Sequence, residues 1–178
     1  MIDFSDEEFE EILNIFQCEG DEITSRLNDT LIQLEKNPSS SETINTLFRN
    51  AHSLKGASRM VGFNNIQKLA HSIEDVLGLA RDIKLLITKF VIDILIETVD
   101  YIKNLINLSV KQKSEVYDDN YNKYLEKLIS VKEGKDITFD EPSNDVSENK
   151  DNVINIISSE NWQKIFTIIS DTNNFISE

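Results

Sequence analysis

Apolar residues recur at intervals of three, four and seven through the first three-quarters of the chain, the spacing that keeps side chains on one face of a helix with 3.6 residues per turn. The first run is Phe9, Ile12, Leu13, Phe16, Ile23, Leu27, Leu31 and Leu34. Ser5 followed by Glu8 is the pattern of a capping box, so the helix is expected to open there and to close near Asn37-Pro38. Gly20 falls inside this run, where glycine costs ~1 kcal/mol against alanine and leaves room for a local bend. A second helix follows the serines at 39–41 and turns Ile44, Leu47, Ala51, Leu54, Ser58 and Val61 inward, with Gly62 as its stop. A third, from about Asn64 to Arg81, buries Ile66, Leu69, Ala70, Ile73, Leu77 and Ala80. The fourth opens near Thr88 and runs through Phe90, Ile94, Leu95, Tyr101, Ile102, Leu105 and Leu108. Ile92 to Glu97 alternates like a strand, but the length and continuing helical period of the segment favour a helix. A weaker fifth helix uses Tyr121, Tyr124, Leu125, Leu128 and Ile129 up to Gly134.

The period then stops. From Gly134 to Asn152 the residues are acidic and polar, with Pro142 among them, which describes a linker. Trp162, Ile165, Phe166 and Ile169 return at helical spacing behind Ser159, an amphipathic segment with no core of its own. The expected division is a helical domain over 1–133, a linker over 134–152, and a C-terminal segment over 153–178 that is a docked helix or the start of an incomplete domain. Five glycines and two prolines in 178 residues leave little material for the turns of an all-β fold. The expected class is all-α: an up-and-down four-helix bundle with a fifth helix and a C-terminal extension.

A net charge of −14 argues against a nucleic-acid ligand, which needs a basic face. Cys18 is the sole cysteine, so neither an internal disulfide nor a cysteine-built metal site is expected. The start of the chain lacks a basic segment followed by an apolar one, and no run reaches the ~18 apolar residues of a membrane span. A cytoplasmic location, without direct membrane insertion, is the plain expectation.

Against this acidic background the two histidines, His52 and His71, each fall within a predicted helix. At ~100° per residue, His52 points roughly 150° away from the centre of the second helix's apolar face. It shares that outer strip with Asn45, Phe48, Lys55, Gly56 and Arg59. Gly56, one turn on, keeps the space above the imidazole clear; Lys55 and Arg59 bring positive charge to an anion on the ring. On the third helix His71 and Glu74 lie three apart, with Glu74 placed to reach across to the second helix. A carboxylate bonded to one ring nitrogen fixes the tautomer and leaves the other nitrogen its lone pair, which makes a nucleophile.

Phe48-Arg49-Asn50-Ala51-His52-Ser53-Leu54-Lys55-Gly56-Ala57-Ser58, then Val61-Gly62-Phe63 and His71-Ser72-Ile73-Glu74, resemble the histidine phosphotransfer domains found at the N-terminus of chemotaxis histidine kinases of the CheA type. The resemblance spans about residues 4 to 133, including Glu97-Thr98, and departs from many relatives at Ala57 and Ser58, where another Gly or Ala often stands. It implies that His52 is the phosphoacceptor, that Glu74 bonds its ring, that Lys55 and His71 border the phosphoryl group, and that Gly56 gives clearance. It also implies two partners, a histidine kinase domain acting in cis or in trans and the receiver domain of a response regulator. ATP and magnesium would be bound by the kinase domain and no cofactor by this chain, which has neither a P-loop nor a Gly-x-Gly-x-x-Gly turn. The chain alone is therefore not expected to act as a kinase, although it fits as one part of such an enzyme.

Two other functions fit a helical bundle: an interaction module without phosphate chemistry, and a phosphatase of receivers that is never itself labelled. A zinc site from His52, His71 and Glu74 lacks a fourth ligand, since Cys18 sits on another helix.

Overall fold

The computed structural model describes residues 5–134. Beyond Gly134, the expected linker and the amphipathic segment over 153–178 lie outside the described residues, and so does the boundary between them. Five helices follow one another: α1 (Asp6–Lys36), α2 (Ser41–Met60), α3 (Asn64–Arg81), α4 (Lys89–Gln112) and α5 (Asn120–Lys132), with no strand among the described residues. Short connections force neighbours to run antiparallel. Helix α1 packs on α2 and α4, α2 on α3, and α3 on α4, which closes a four-helix bundle; α5 lies against α3 and α4.

Local chemistry sets the helix ends. The Ser5 hydroxyl oxygen accepts from the Glu8 amide at 3.3 Å while the Glu8 carboxylate accepts from the Ser5 amide at 2.9 Å, the capping box expected from the sequence. The Ser40 and Thr88 hydroxyls start α2 and α4 in the same way, accepting from Thr43 and Val91. After α2 the chain takes a positive φ of 79° at Gly62, and the Phe63 amide returns to the Ser58 carbonyl at 2.9 Å, satisfying a carbonyl of the last turn. Phe63 then packs edge-on against Phe16 of α1. No side chain of α3's own sequence caps its start. Glu115, from the turn after α4, accepts from the Asn65 and Ile66 amides instead.

Leu13, Phe16, Ile23, Leu27, Leu31, Leu47, Leu54, Ile66, Leu69, Ile73, Leu77, Leu95, Ile102 and Leu105 form the core, close to the set that the periodicity selects. Ile92, Ile94 and Leu95 are buried within α4, so the alternating stretch is helical. Helix α1 continues through Gly20, where a Cβ would lie 2.9 Å from the Ile106 Cδ1 of α4, so the glycine gives clearance. Two expectations are corrected. Leu108 and Ile129 are exposed, and Ile106 and Val131 are buried in the core instead. Both misplacements come from helices with more than one packing partner, where the inward direction is a compromise that spacing cannot fix.

Helix α5 is tied down by mixed contacts. Tyr101 stacks on Tyr124 with 4.4 Å between ring centres and donates its hydroxyl to Asp118 at 2.6 Å. Burial and then the Asp118 carboxylate push the Tyr101 phenol above its ordinary range, so it stays a donor. None of the helices among the described residues is long and apolar enough to cross a membrane.

Candidate functional site

The site sits where α2 and α3 face each other. Ala51 and Leu54 are fully buried, and a helix that buries these two must turn His52 outward. The His52 side chain is 63% exposed. Glu74 stands on α3 between core residues Ile73 and Val76 and is itself nearly buried, and its carboxylate meets α2 in two places. Oε1 lies 3.0 Å from His52 Nδ1. Oε2 lies 2.6 Å from Lys55 Nζ, an ion-pair contact rather than an aligned hydrogen bond.

Burial pushes the Glu74 carboxyl upward, but the Lys55 ammonium and the His52 ring together outweigh it, and the net effect holds the group below its ordinary value. Glu74 is thus a carboxylate at neutral pH. A carboxylate only accepts hydrogen bonds, so Nδ1 of His52 carries the proton and donates it, and in the neutral ring Nε2 keeps its lone pair. The free nitrogen belongs to the exposed side chain. Around it, a Cβ built on Gly56 would meet nothing within 4 Å, so the space one turn beyond the ring is open.

The other expected residues are placed differently. His71 is exposed, and the contact it makes is with Asp75 on its own helix, Nε2 to Oδ1 at 3.4 Å; the other Asp75 oxygen takes Lys132 of α5 at 2.6 Å. Neighbouring acids on α3 thus each hold one histidine and one lysine, Glu74 from α2 and Asp75 from α3 and α5. Sequence reasoning singled out neither Asp75 nor Lys132; an acid four residues after a histidine was the available signal for the first, and only the docking of α5 reveals the second. Phe48, expected on the outer strip, is half-buried: its ring faces Gly78 of α3 and carries the Arg81 guanidinium 4.3 Å above its centre. It turns toward α3 because the groove there offers apolar contact. Arg59 is exposed, seven residues beyond His52 on α2, and pairs with no acid among the described residues. The cation held beside the ring is Lys55. Ser58 is buried and donates to the Leu54 carbonyl at 2.7 Å, so the departure from the family pattern there is absorbed inside the helix. No group of three or more metal-ligating side chains with metal-site geometry occurs among the described residues.

A helical bundle that presents one imidazole outward, braced through its inner nitrogen by an acid of the next helix, has the form of a phosphohistidine carrier. Residues 11–106 match the Hpt domain family, and the chain belongs to it. It is 33% identical over 96 residues to the chemotaxis protein CheA of Listeria monocytogenes, a match that covers 54% of this chain and 16% of that protein. The chain therefore spans a small part of the length of such relatives. Among solved structures, the CheA phosphotransferase domain from Thermotoga maritima is 40% identical with a TM-score of 0.55, over 57% of this chain and 96% of that one. The phosphorylated P1 domain of CheA3 from R. sphaeroides, solved with CheY6, shares the fold at a TM-score of 0.64 and 23% identity, over 68% of this chain and 94% of that one.

Proposed function

We propose that this chain is the phosphoacceptor and carrier module of a two-component, chemotaxis-type signalling system, with His52 as the residue that bears the phosphoryl group. The observation that carries the reading is the pairing of an exposed ring with a nearly buried carboxylate, Nδ1 to Oε1 at 3.0 Å, which leaves Nε2 open to solvent. In the first step the Nε2 lone pair forms a bond to the γ-phosphorus of ATP, bound with magnesium by a kinase domain, and the bond to the leaving ADP oxygen breaks. In the second, a receiver aspartate oxygen attacks the same phosphorus and the nitrogen–phosphorus bond breaks, returning the imidazole. Transfer of this kind depends on positioning and on charge stabilisation. Glu74 orients the ring and balances the positive charge that grows on it; Lys55 sits one turn away as a cation for the phosphoryl oxygens. His71 borders the same surface from α3, and Gly56 leaves room for the incoming group.

The kinase domain and the receiver are the partners, and the reaction is placed in the cytoplasm, where ATP is supplied. Nucleotide and metal belong to the kinase, and this chain supplies the nucleophile. The R. sphaeroides relative was captured with CheY6, a complex in keeping with delivery to a receiver.

The test is incubation with ATP, magnesium and a CheA-type kinase core. The expected product is an acid-labile, alkali-stable label that is absent from His52→Gln while that variant keeps its helical circular dichroism. Failure to label under conditions that modify another Hpt domain would favour an interaction module.

A further inference from the structure

The chain has 32 acidic and 18 basic residues, an excess of acid that is spread unevenly over its helices. Helix α2 inverts the balance, with Arg49, Lys55 and Arg59 against the single acid Glu42, while α1 carries ten acidic residues and two basic ones. Lys55 is committed to Glu74. Of the four arginines in the sequence, Arg26 pairs with Glu22, and Arg81 lies beside Asp82 and over Phe48. Arg49 and Arg59 are both exposed, and neither pairs with an acid among the described residues. They stand three residues before and seven residues after His52, offsets that put all three on one side of the helix. Met60, beside Arg59, is 88% exposed, an apolar side chain at the end of the same helix.

We propose that Arg49 and Arg59 form an electrostatic docking surface for the acidic face of the receiver that takes the phosphoryl group from His52. The inference rests on the function proposed above and names the residues that would recognise the second partner. The occupant follows from charge and chemistry. An aspartate that accepts a phosphoryl group works with a magnesium ion, and magnesium is held by carboxylates and phosphate oxygens, so the acceptor's surface is acidic at its centre. Two guanidiniums flanking the donor ring match that field, whereas the surplus of acid elsewhere repels it and turns the chain so that α2 leads. Unpaired arginines lose no internal ion pair on docking, and their planar donors fit carboxylates in pairs.

The experiment measures binding of the unphosphorylated full chain to a purified receiver domain from the same organism, by calorimetry at about 20 mM and about 200 mM salt, a range over which the screening length shrinks severalfold. Binding is expected to weaken as salt rises. The double variant Arg49→Gln/Arg59→Gln should bind about tenfold more weakly at low salt and show a flatter salt dependence, and Arg49→Lys/Arg59→Lys should recover most of the loss. Unchanged affinity in the glutamine variant, a salt dependence equal to that of the parent, or no binding by the parent would each overturn the proposal. Because binding needs no phosphorylation, this outcome is separate from the labelling of His52: a chain that binds through its arginines but is never labelled would sink the carrier reading alone. Both side chains are exposed, and matching thermal melts would show that the substitutions leave the bundle intact.

Discussion

At the scale of single residues, the site is a set of opposed demands on one helical strip. A glycine in the middle of α2 weakens the helix by ~1 kcal/mol relative to alanine, and nothing in the bundle occupies the space that an alanine Cβ would take. Gly56→Ala should therefore raise the melting temperature by a few degrees and at the same time slow labelling of His52 by the kinase core, because the added methyl narrows the approach to Nε2. Thermal melts and initial labelling rates on the same preparation check this; a more stable variant with undiminished labelling would remove clearance as the reason for glycine. The outward turn of His52 was legible in the sequence, since it follows from which neighbours must be buried. The reach of Glu74 was legible as a possibility, its side chain lying at the edge of an apolar stripe. Its simultaneous hold on Lys55 was not, because a lysine on the same strip fits an unpaired cation equally well until the gap between helices is known. Phe48 was placed on the outer strip for a similar reason: periodicity gives a direction, and only the groove beside Gly78 says that a large ring is drawn sideways into it.

At the scale of elements, all five helices and most of their ends follow from spacing and from serine or threonine caps, because those signals are local in the chain. The start of α3 is the exception. Its cap comes from Glu115, some fifty residues away, and no local pattern announces it. A carboxylate at a helix N-terminus both satisfies amides and meets the positive end of the helix dipole. Glu115→Ala should lower stability by ~1 kcal/mol, with urea denaturation as the measurement, and Glu115→Gln should lose less, since an amide oxygen still accepts. Loss of the same size in both variants would assign the effect to charge rather than to hydrogen bonding. Gly20 illustrates the same limit: glycine within a helix reads as a weak point, while the structure uses it to admit Ile106.

At the scale of the whole molecule, pH acts through groups whose ionisation differs between folded and unfolded chains. Glu74 is held below its ordinary value of 4.5 by Lys55 and His52 against the opposing effect of burial. A carboxyl lowered by folding adds stability that is fully present above its unfolded value and disappears as pH falls through the folded one. The parent should therefore lose stability relative to Glu74→Gln as pH drops from neutral to below 4.5, measured as the difference between their urea midpoints. A constant difference across that range would mean that the site ion pair adds nothing to folding. The net charge of the molecule and the excess of acid on α1 were plain from composition, but the isolation of Arg49 and Arg59 required knowing where every neighbouring acid had gone.

The acid that braces His52 lies 22 positions away along the chain, on another helix, with the Gly62 turn between them. An unfolded or half-opened molecule holds the same imidazole but not the brace, so the nucleophile exists only while α2 and α3 remain seated together. Motions that part this helical hairpin would silence the histidine without touching it, and the labelling rate becomes a gauge of how long the hairpin stays shut.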